Sequence, residues 1–137
     1  AGAGRGYLTG ALAPLAAAAG LDFRAVDRGD GEFMLSGLEA HRRVEPGDVF
    51  TVIGDFQPDA VVYAWPPPGQ SLAALCRTPA LRYLMVPGEA GGGATGARED
   101  WERLPHKISP VLSRYCRSRT WPTRHAVTIF YGGTRGS

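Results

Sequence analysis

The stretch Ala1-Gly-Ala-Gly-Arg-Gly-Tyr-Leu-Thr-Gly10 places three alternating glycines directly before an apolar helical pattern. Gly2, Gly4 and Gly6 can adopt positive φ, or they can let a ligand approach the backbone where a Cβ would clash. The helix predicted to begin at Tyr7 leaves its first N–H groups free, and such an end attracts electron-rich ligand groups. By itself, a G-x-G-x-G run is equally compatible with a flexible glycine-rich turn.

An acidic residue downstream gives the glycine run a more definite meaning. Asp27 closes the apolar segment 23–26 and lies 21 residues after Gly6. This is near the spacing at which an acid that ends the second strand reaches ribose hydroxyls. We therefore predict a unit that binds an adenosine-containing cofactor. Because the same features serve nicotinamide dinucleotides equally well, an NAD(P)-dependent oxidoreductase is one alternative.

Helical and strand patterns alternate along most of the chain. The predicted elements are a helix over 7–19 that contains Pro14 and is capped by Gly20, a strand over 21–26, a turn over 28–31, a short helix over 32–43, a loop over 44–50, a strand over 59–64, a short helix over 70–77, a strand over 81–86, a helical turn over 98–104, and strands over 110–117 and 125–131. Such alternation favours a parallel sheet. We predict an α/β, Rossmann-like fold with a mostly parallel sheet, helices on both faces and a C-terminal β hairpin.

The predicted sheet lacks its first strand. A glycine loop of this kind normally follows the central strand, whereas here the sequence begins within the loop. A gap at that place would leave a row of unpaired backbone groups. We therefore expect residues 1–137 to form a single, N-terminally incomplete domain, with the first strand supplied by a preceding segment or by another chain.

Length, charge and cysteine content narrow the class of protein. A chain of 137 residues, 44% of them hydrophobic, suits one domain, and a net charge of +2 is too small to indicate nucleic-acid binding. Cys76 and Cys116 fit neither a disulfide framework nor a redox motif, which predicts reduced, packed thiols. The longest apolar stretch, residues 11–19, is shorter than a bilayer span and contains Pro14. We predict a cytoplasmic protein without a membrane segment.

The order of these motifs resembles the class I S-adenosylmethionine-dependent methyltransferase fold over nearly the whole chain. The glycine run matches that family's G-x-G-x-G loop, and Asp27 matches its ribose-binding acid. Asp48 and Val49 match the acid and its neighbour that contact adenine. The resemblance thus implies S-adenosylmethionine as cofactor, held by Gly2, Gly4, Gly6, Asp27, Asp48 and Val49.

The resemblance extends to the family's fourth motif, where the substrate meets the methyl group. The strand over 59–64 leads into Trp65-Pro66-Pro67 at this motif. In methyltransferases that act on amino groups the motif is Asn/Asp-Pro-Pro-aromatic, whereas here Trp65 holds the polar position. The closing hairpin is also similar to the family, whose sheet ends in an antiparallel strand. The run Trp-Pro-Pro-Pro-Gly with the later Gly-Glu-Ala-Gly-Gly resembles a group of bacterial and fungal proteins and therefore names no substrate. We expect a small-molecule substrate.

Trp65 and Glu89 follow two predicted strands that end at the same edge of the sheet. A tryptophan at a strand end can stack on a planar substrate, or it can pack to close the edge, and we weigh these interpretations equally. Because ligands gather at the carboxyl ends of parallel strands, Glu89 is predicted as a base or substrate contact rather than a solvated acid. We therefore predict Trp65, Pro66, Pro67 and Glu89 as the catalytic residues.

Other features have simple interpretations. His106 and His125 lack Cys, Asp or Glu partners at metal-binding spacing, so no metal site is predicted. An arginine-rich segment over 114–124 fits an anionic substrate or, more commonly, a solvated face. Because no polar residue precedes Pro66, a non-catalytic binding protein with the same fold is a further alternative.

Overall fold

The structure, a computed structural model, describes residues 7–28, 44–114 and 125–133. Its helices and strands in chain order are α1 (Tyr7–Ala18), β1 (Ala25–Asp27), β2 (Val44–Pro46), α2 (Val49–Phe56), β3 (Ala60–Val62), α3 (Ala73–Cys76), β4 (Tyr83–Glu89), α4 (Arg98–Arg103), β5 (His106–Ile108), α5 (Pro110–Ser113) and β6 (His125–Tyr131). Contacts divide the chain into two compact units, Ala1–Val52 and Ile53–Ser137. The helix predicted over 32–43 lies outside the described residues, and the single domain stays a prediction.

Helix α1 confirms the helix predicted over 7–19, including Pro14 within it. It ends at a glycine cap, because Gly20 has a φ of 69°. The N–H of Gly20 donates to the carbonyl of Ala17 at 3.1 Å, and the N–H of Leu21 donates to that of Ala16 at 2.8 Å. This pair of hydrogen bonds is a Schellman motif, which needs the left-handed conformation that glycine adopts readily.

The first unit contains a two-stranded parallel sheet. Strand β1 pairs with β2 from Ala25 opposite Val44 to Asp27 opposite Pro46. The predicted strand over 21–26 is therefore shorter and later than expected. The loop predicted over 44–50 is wrong, because its first residues form β2 and helix α2 begins at Val49.

The second unit contains a four-stranded sheet in the order β3-β4-β6-β5. Strands β3 and β4 pair in parallel, whereas β6 runs antiparallel to both β4 and β5. The fold is thus α/β with mixed sheets, and this second sheet is mostly antiparallel instead of mostly parallel as expected. A single reversed strand explains the difference, because β3, β4 and β5 all run in the same direction.

The end of the chain differs from the prediction in one of its two strands. Strand β6 has the bounds predicted, 125–131, but the strand predicted over 110–117 is wrong, because helix α5 begins at Pro110. The side chain of Ser109 accepts a hydrogen bond from the N–H of Leu112 at 3.2 Å, which caps this short helix. On the side away from β4, strand β6 pairs with β5, so this antiparallel pair has α5 in its connection.

Alternate residues of β4 and β6 face the core of the second unit. Leu84 lies opposite Phe130 and Val86 opposite Thr128, and all four are almost fully buried. The indole N–H of Trp101 on α4 donates to the Thr128 hydroxyl at 3.2 Å, and its ring lies edge-on to Phe130. This buried hydroxyl is thus paired, and α4 is held against the sheet.

A buried carboxylate joins α4 to the start of α3. Asp100 is only 4% exposed, and it accepts hydrogen bonds from the N–H of Leu72 at 2.7 Å and from the hydroxyl of Ser71 at 3.1 Å. The N–H groups at the start of a helix have no intrahelical partners, and Leu72 is the N-cap residue of α3. Asp100 therefore provides the acceptor that this helix start needs.

We expect Asp100→Ala to lower the free energy of unfolding by about 3 kcal/mol, because the buried N–H of Leu72 loses a charged acceptor. Glu102→Ala, on the exposed side of the same helix, should change it by less than about 0.5 kcal/mol. Urea denaturation of the two variants measures the difference. Equal effects would contradict the anchoring role of Asp100.

Cys76 is buried and makes no disulfide, as predicted, while Cys116 lies outside the described residues. Burial is the main cause that raises the pKa of the Cys76 thiol from its ordinary 9.0 to about 11. The Asp100 carboxylate raises this pKa as well, and Arg77 lowers it. The folded state therefore holds the thiol proton more tightly than the unfolded state.

This pKa difference predicts a loss of stability at alkaline pH. The contribution of Cys76 is complete below pH 9.0 and falls as the pH rises toward about 11. In a Cys116→Ser background, the free energy of unfolding should drop between about pH 8 and about pH 10.5 by about 2 kcal/mol more with Cys76 than with Cys76→Ala. Urea titrations at the two pH values test this, and parallel losses in both proteins would refute it.

Candidate functional site at the carboxyl ends of β3 and β4

The residues predicted to hold the cofactor belong to the first unit. Gly2, Gly4 and Gly6 lie outside the described residues. Asp27 is the half-buried last residue of β1, and its carbonyl accepts a hydrogen bond from the N–H of Gly47 at 2.9 Å. Because β1 and β2 run in parallel, their carboxyl ends lie at the same edge of this small sheet. Asp27 ends β1 at that edge, and Asp48 comes shortly after β2.

Asp48 and Val49 form the start of helix α2. The carboxylate oxygen Oδ1 of Asp48 accepts a hydrogen bond from the N–H of Phe50 at 2.9 Å, and Val49 is buried. Asp48 is therefore an N-cap residue, which is a structural role. Its other oxygen, Oδ2, has no hydrogen bond within the part of the chain that the structure describes. The contact of Asp48 and Val49 with adenine stays a prediction.

Trp65, just beyond β3, has a backbone conformation that bulky residues rarely adopt. Its φ is 50°, in the left-handed region. Its N–H donates to the carbonyl of Pro87 at 2.9 Å, which extends the pairing of β3 with β4, and the next residue, Pro66, is fully buried. The conformation is thus fixed on both sides, although it costs roughly 1–3 kcal/mol. The residue remains 49% exposed.

The indole of Trp65 contacts the imidazole of His125, the first residue of β6. The ring centroids are 4.9 Å apart and the planes meet at 85°, an edge-to-face arrangement. Because β4 lies between β3 and β6, this contact spans two strand spacings of about 4.8 Å each. It joins the carboxyl end of β3 to the amino end of β6.

Glu89 lies directly opposite His125 in the antiparallel pair β4 and β6. Side chains that oppose each other in this way share one face of the sheet. The carboxylate of Glu89 accepts a hydrogen bond from the N–H of Ala94 at 3.1 Å, and its backbone N–H donates to the buried hydroxyl of Thr95 at 2.9 Å. The structure therefore brings Trp65, Glu89 and His125 to one edge, and we call these three residues the edge cluster.

The loops that follow β3 and β4 are fastened to each other beside the edge cluster. The N–H of Gly96 donates to the carbonyl of Pro66 at 3.0 Å, and the N–H of Gly69 donates to the carbonyl of Gly96 at 2.9 Å. At Gly92, where φ is 75°, a Cβ would lie 2.6 Å from the Cα of Arg98. Only glycine fits there, so this glycine-rich loop is closely packed. Pro67 is exposed at the rim.

Strand β4 is longer than predicted and changes the placement of Glu89. The sequence predicts that the strand ends at Val86 and that Glu89 follows in a loop, but β4 continues through Pro87 and Gly88 to Glu89. Glu89 is therefore held in a ladder instead of a free loop. His125 is the residue that sequence analysis missed. Its position as the first residue of the last strand, next to a parallel pair, was the available signal.

The edge cluster combines three chemical capabilities. The exposed indole offers a flat surface for stacking, the imidazole can donate or accept hydrogen bonds through its ring nitrogens, and the carboxylate can accept hydrogen bonds. A separate cavity of about 340 Å³ lies at the opposite end of β4, lined by Pro79, Leu81, Arg82, Tyr83, Tyr131, Gly132 and Gly133. None of the predicted site residues lines that cavity.

Comparison of the chain with protein-family profiles, with curated proteins and with solved structures finds no significant match. In the described ranges, no helix has the length and apolarity needed to cross a membrane. Among the same residues, no group of three or more His, Cys, Asp or Glu side chains is placed to hold a metal ion.

The positive φ of Trp65 predicts an unusual order of stability among its variants. Trp65→Gly and Trp65→Ala both remove the indole, but only glycine relieves the left-handed backbone, so Trp65→Gly should be the more stable by about 1 kcal/mol. Tyr83, a similarly exposed aromatic residue within β4, is the matched control. There, glycine should be the less stable by about 0.5–1 kcal/mol. Thermal denaturation that ranks both pairs alike would contradict this account.

Proposed function

We propose that this protein is an S-adenosylmethionine-dependent methyltransferase that acts on a small molecule. The observation that carries the proposal is the order and direction of the strands. In Rossmann-like sheets the third strand neighbours the second, and the fourth neighbours the fifth, all in parallel. Here β2 pairs with β1, and β3 pairs with β4, in the same way. The antiparallel β6 agrees with the late reversed strand that the resemblance implies.

Asp27 supports the choice of cofactor, because the ribose of S-adenosylmethionine needs a hydrogen-bond acceptor. In this proposal β1 corresponds to the second strand of a Rossmann-like sheet. Asp27, the last residue of β1, would then accept hydrogen bonds from the ribose hydroxyls. One oxygen of the Asp48 carboxylate caps the start of helix α2. In this proposal Asp48 would contact the adenine of the cofactor. When bound, S-adenosylmethionine supplies an activated methyl group. The role of the chain is to position the acceptor substrate against that group.

In this proposal the edge cluster and the prolines after Trp65 bind the acceptor substrate. The backbone of Trp65 is fixed by its pairing to Pro87 and the residue is half exposed, so its indole can orient a flat acceptor by stacking. Pro66 anchors the turn, Pro67 forms its rim, and Glu89 provides a hydrogen-bond acceptor at the end of β4. Orientation of this kind is a large part of catalysis in transfers between two bound groups.

Cofactor binding tests the proposal directly. S-adenosylhomocysteine at about 100 times its dissociation constant should stabilise the protein by about 2.7 kcal/mol. Asp27→Ala should weaken its binding by roughly 1.5–3 kcal/mol, the value of hydrogen bonds to a charged group. Asp22→Ala, an exposed acid of the same unit, should leave affinity unchanged. Calorimetric titration measures both variants.

Other outcomes of these titrations would replace the proposal. Preferential binding of NAD or NADP would indicate an oxidoreductase, because the same acid serves dinucleotides. Binding of none of these compounds would favour a non-catalytic protein that keeps the fold. Unchanged affinity in Asp27→Ala, with tight binding by the wild type, would remove Asp27 from the site while retaining the methyltransferase.

A further inference from the structure

His125 is a polar group for which the described residues provide no hydrogen-bond partner. Its imidazole is half-buried and lies edge-to-face with Trp65, and neither ring nitrogen is hydrogen-bonded within the part of the chain described. By contrast, Nδ1 of His106 lies 2.9 Å from the carbonyl of Leu104. An imidazole that the described residues leave unpaired, beside an exposed aromatic surface, is able to bind a ligand through its ring nitrogens.

We propose that the acceptor substrate is a planar ring compound with a hydroxyl group, and that His125 takes the hydroxyl proton. This inference rests on the proposed function. The indole of Trp65 provides the stacking surface for the ring. The imidazole of His125 lies against this indole, so a hydroxyl group on a ring stacked there has a proton acceptor beside it.

A hydroxyl acceptor makes this proton transfer necessary. The hydroxyl oxygen forms a bond to the methyl carbon while the carbon–sulfur bond breaks, and the electron pair of that bond neutralises the sulfonium. Without loss of its proton, the oxygen would carry a positive charge in the product. A ring nitrogen of His125 accepts this proton, and the half-buried imidazole then releases it to solvent.

The fixed position of His125 suits this role. Its place at the start of β6 is set by the ladder with β4, and its ring lies against the indole of Trp65, whose backbone is paired to Pro87. Glu89 lies opposite on the same face, so a hydroxyl group at this edge meets one imidazole and one carboxylate. Groups held in this way need little reorganisation when a substrate binds.

Binding of matched probes to the full chain tests the substrate class without any turnover. 2-Naphthol offers a planar ring with a hydroxyl, and 2-methoxynaphthalene lacks the proton. His125→Ala should weaken 2-naphthol by about 5- to 10-fold, the value of one hydrogen bond, and leave 2-methoxynaphthalene within about twofold. Trp65→Ala should weaken both probes, and Tyr83→Ala neither. Calorimetry measures each affinity, and urea denaturation verifies that each variant is folded.

Turnover then tests the proton transfer itself. With S-adenosylmethionine and 2-naphthol, His125→Gln keeps a hydrogen-bonding side chain but cannot act as the base, so kcat should fall at least about 100-fold with little change in KM. An unchanged kcat, an unchanged affinity of His125→Ala for 2-naphthol, or no binding of either probe to the wild type would each overturn the inference. Failure of S-adenosylhomocysteine to bind would instead overturn the proposed function, and the probe titrations are independent of that result.

Discussion

The parallel pairing of β3 with β4 is the constraint on which the candidate site depends. Parallel strands end at the same edge, so Trp65 and Glu89 meet there although they are 24 residues apart in sequence. The reversed strand β6 contributes at that edge its first residue, because an antiparallel neighbour begins where the others end. One reversed strand thus explains both the mixed sheet and the position of His125.

Buried polar pairs hold the surroundings of this edge in place. Thr95 accepts from the backbone of Glu89, Thr128 accepts from the indole of Trp101, and Asp100 accepts from the start of α3. Each of these groups would be costly if it were buried without its partner. Because the pairs are directional, they fix the loop after β4 and the two helices more sharply than apolar packing alone would.

The elements predicted well are those with a local cause. Gly20 ends α1, and the alternating apolar and β-branched residues of β6 suffice to define that strand. The loop predicted over 44–50 and the strand predicted over 110–117 are wrong because each segment carries two conflicting local signals. Asp48 begins a helix, although Pro46 and Gly47 indicate a loop, and the Ser109 cap overrides the β propensity of the residues after it. The end of β4 depends instead on its ladder with β6, which no local pattern reveals.

The conformation of Trp65 could not be predicted, because it depends on partners that are distant in sequence, and it carries the strongest physical argument for a ligand. A left-handed backbone costs a bulky residue roughly 1–2 kcal/mol, and glycine would avoid that cost. The edge-to-face contact with His125 offsets about 0.5–1.5 kcal/mol of it. The ring nevertheless leaves 49% of the residue exposed, so much of its hydrophobic gain is not realised within the chain. A planar ligand that covers the indole would realise that gain, which is the role that the proposed function gives to Trp65.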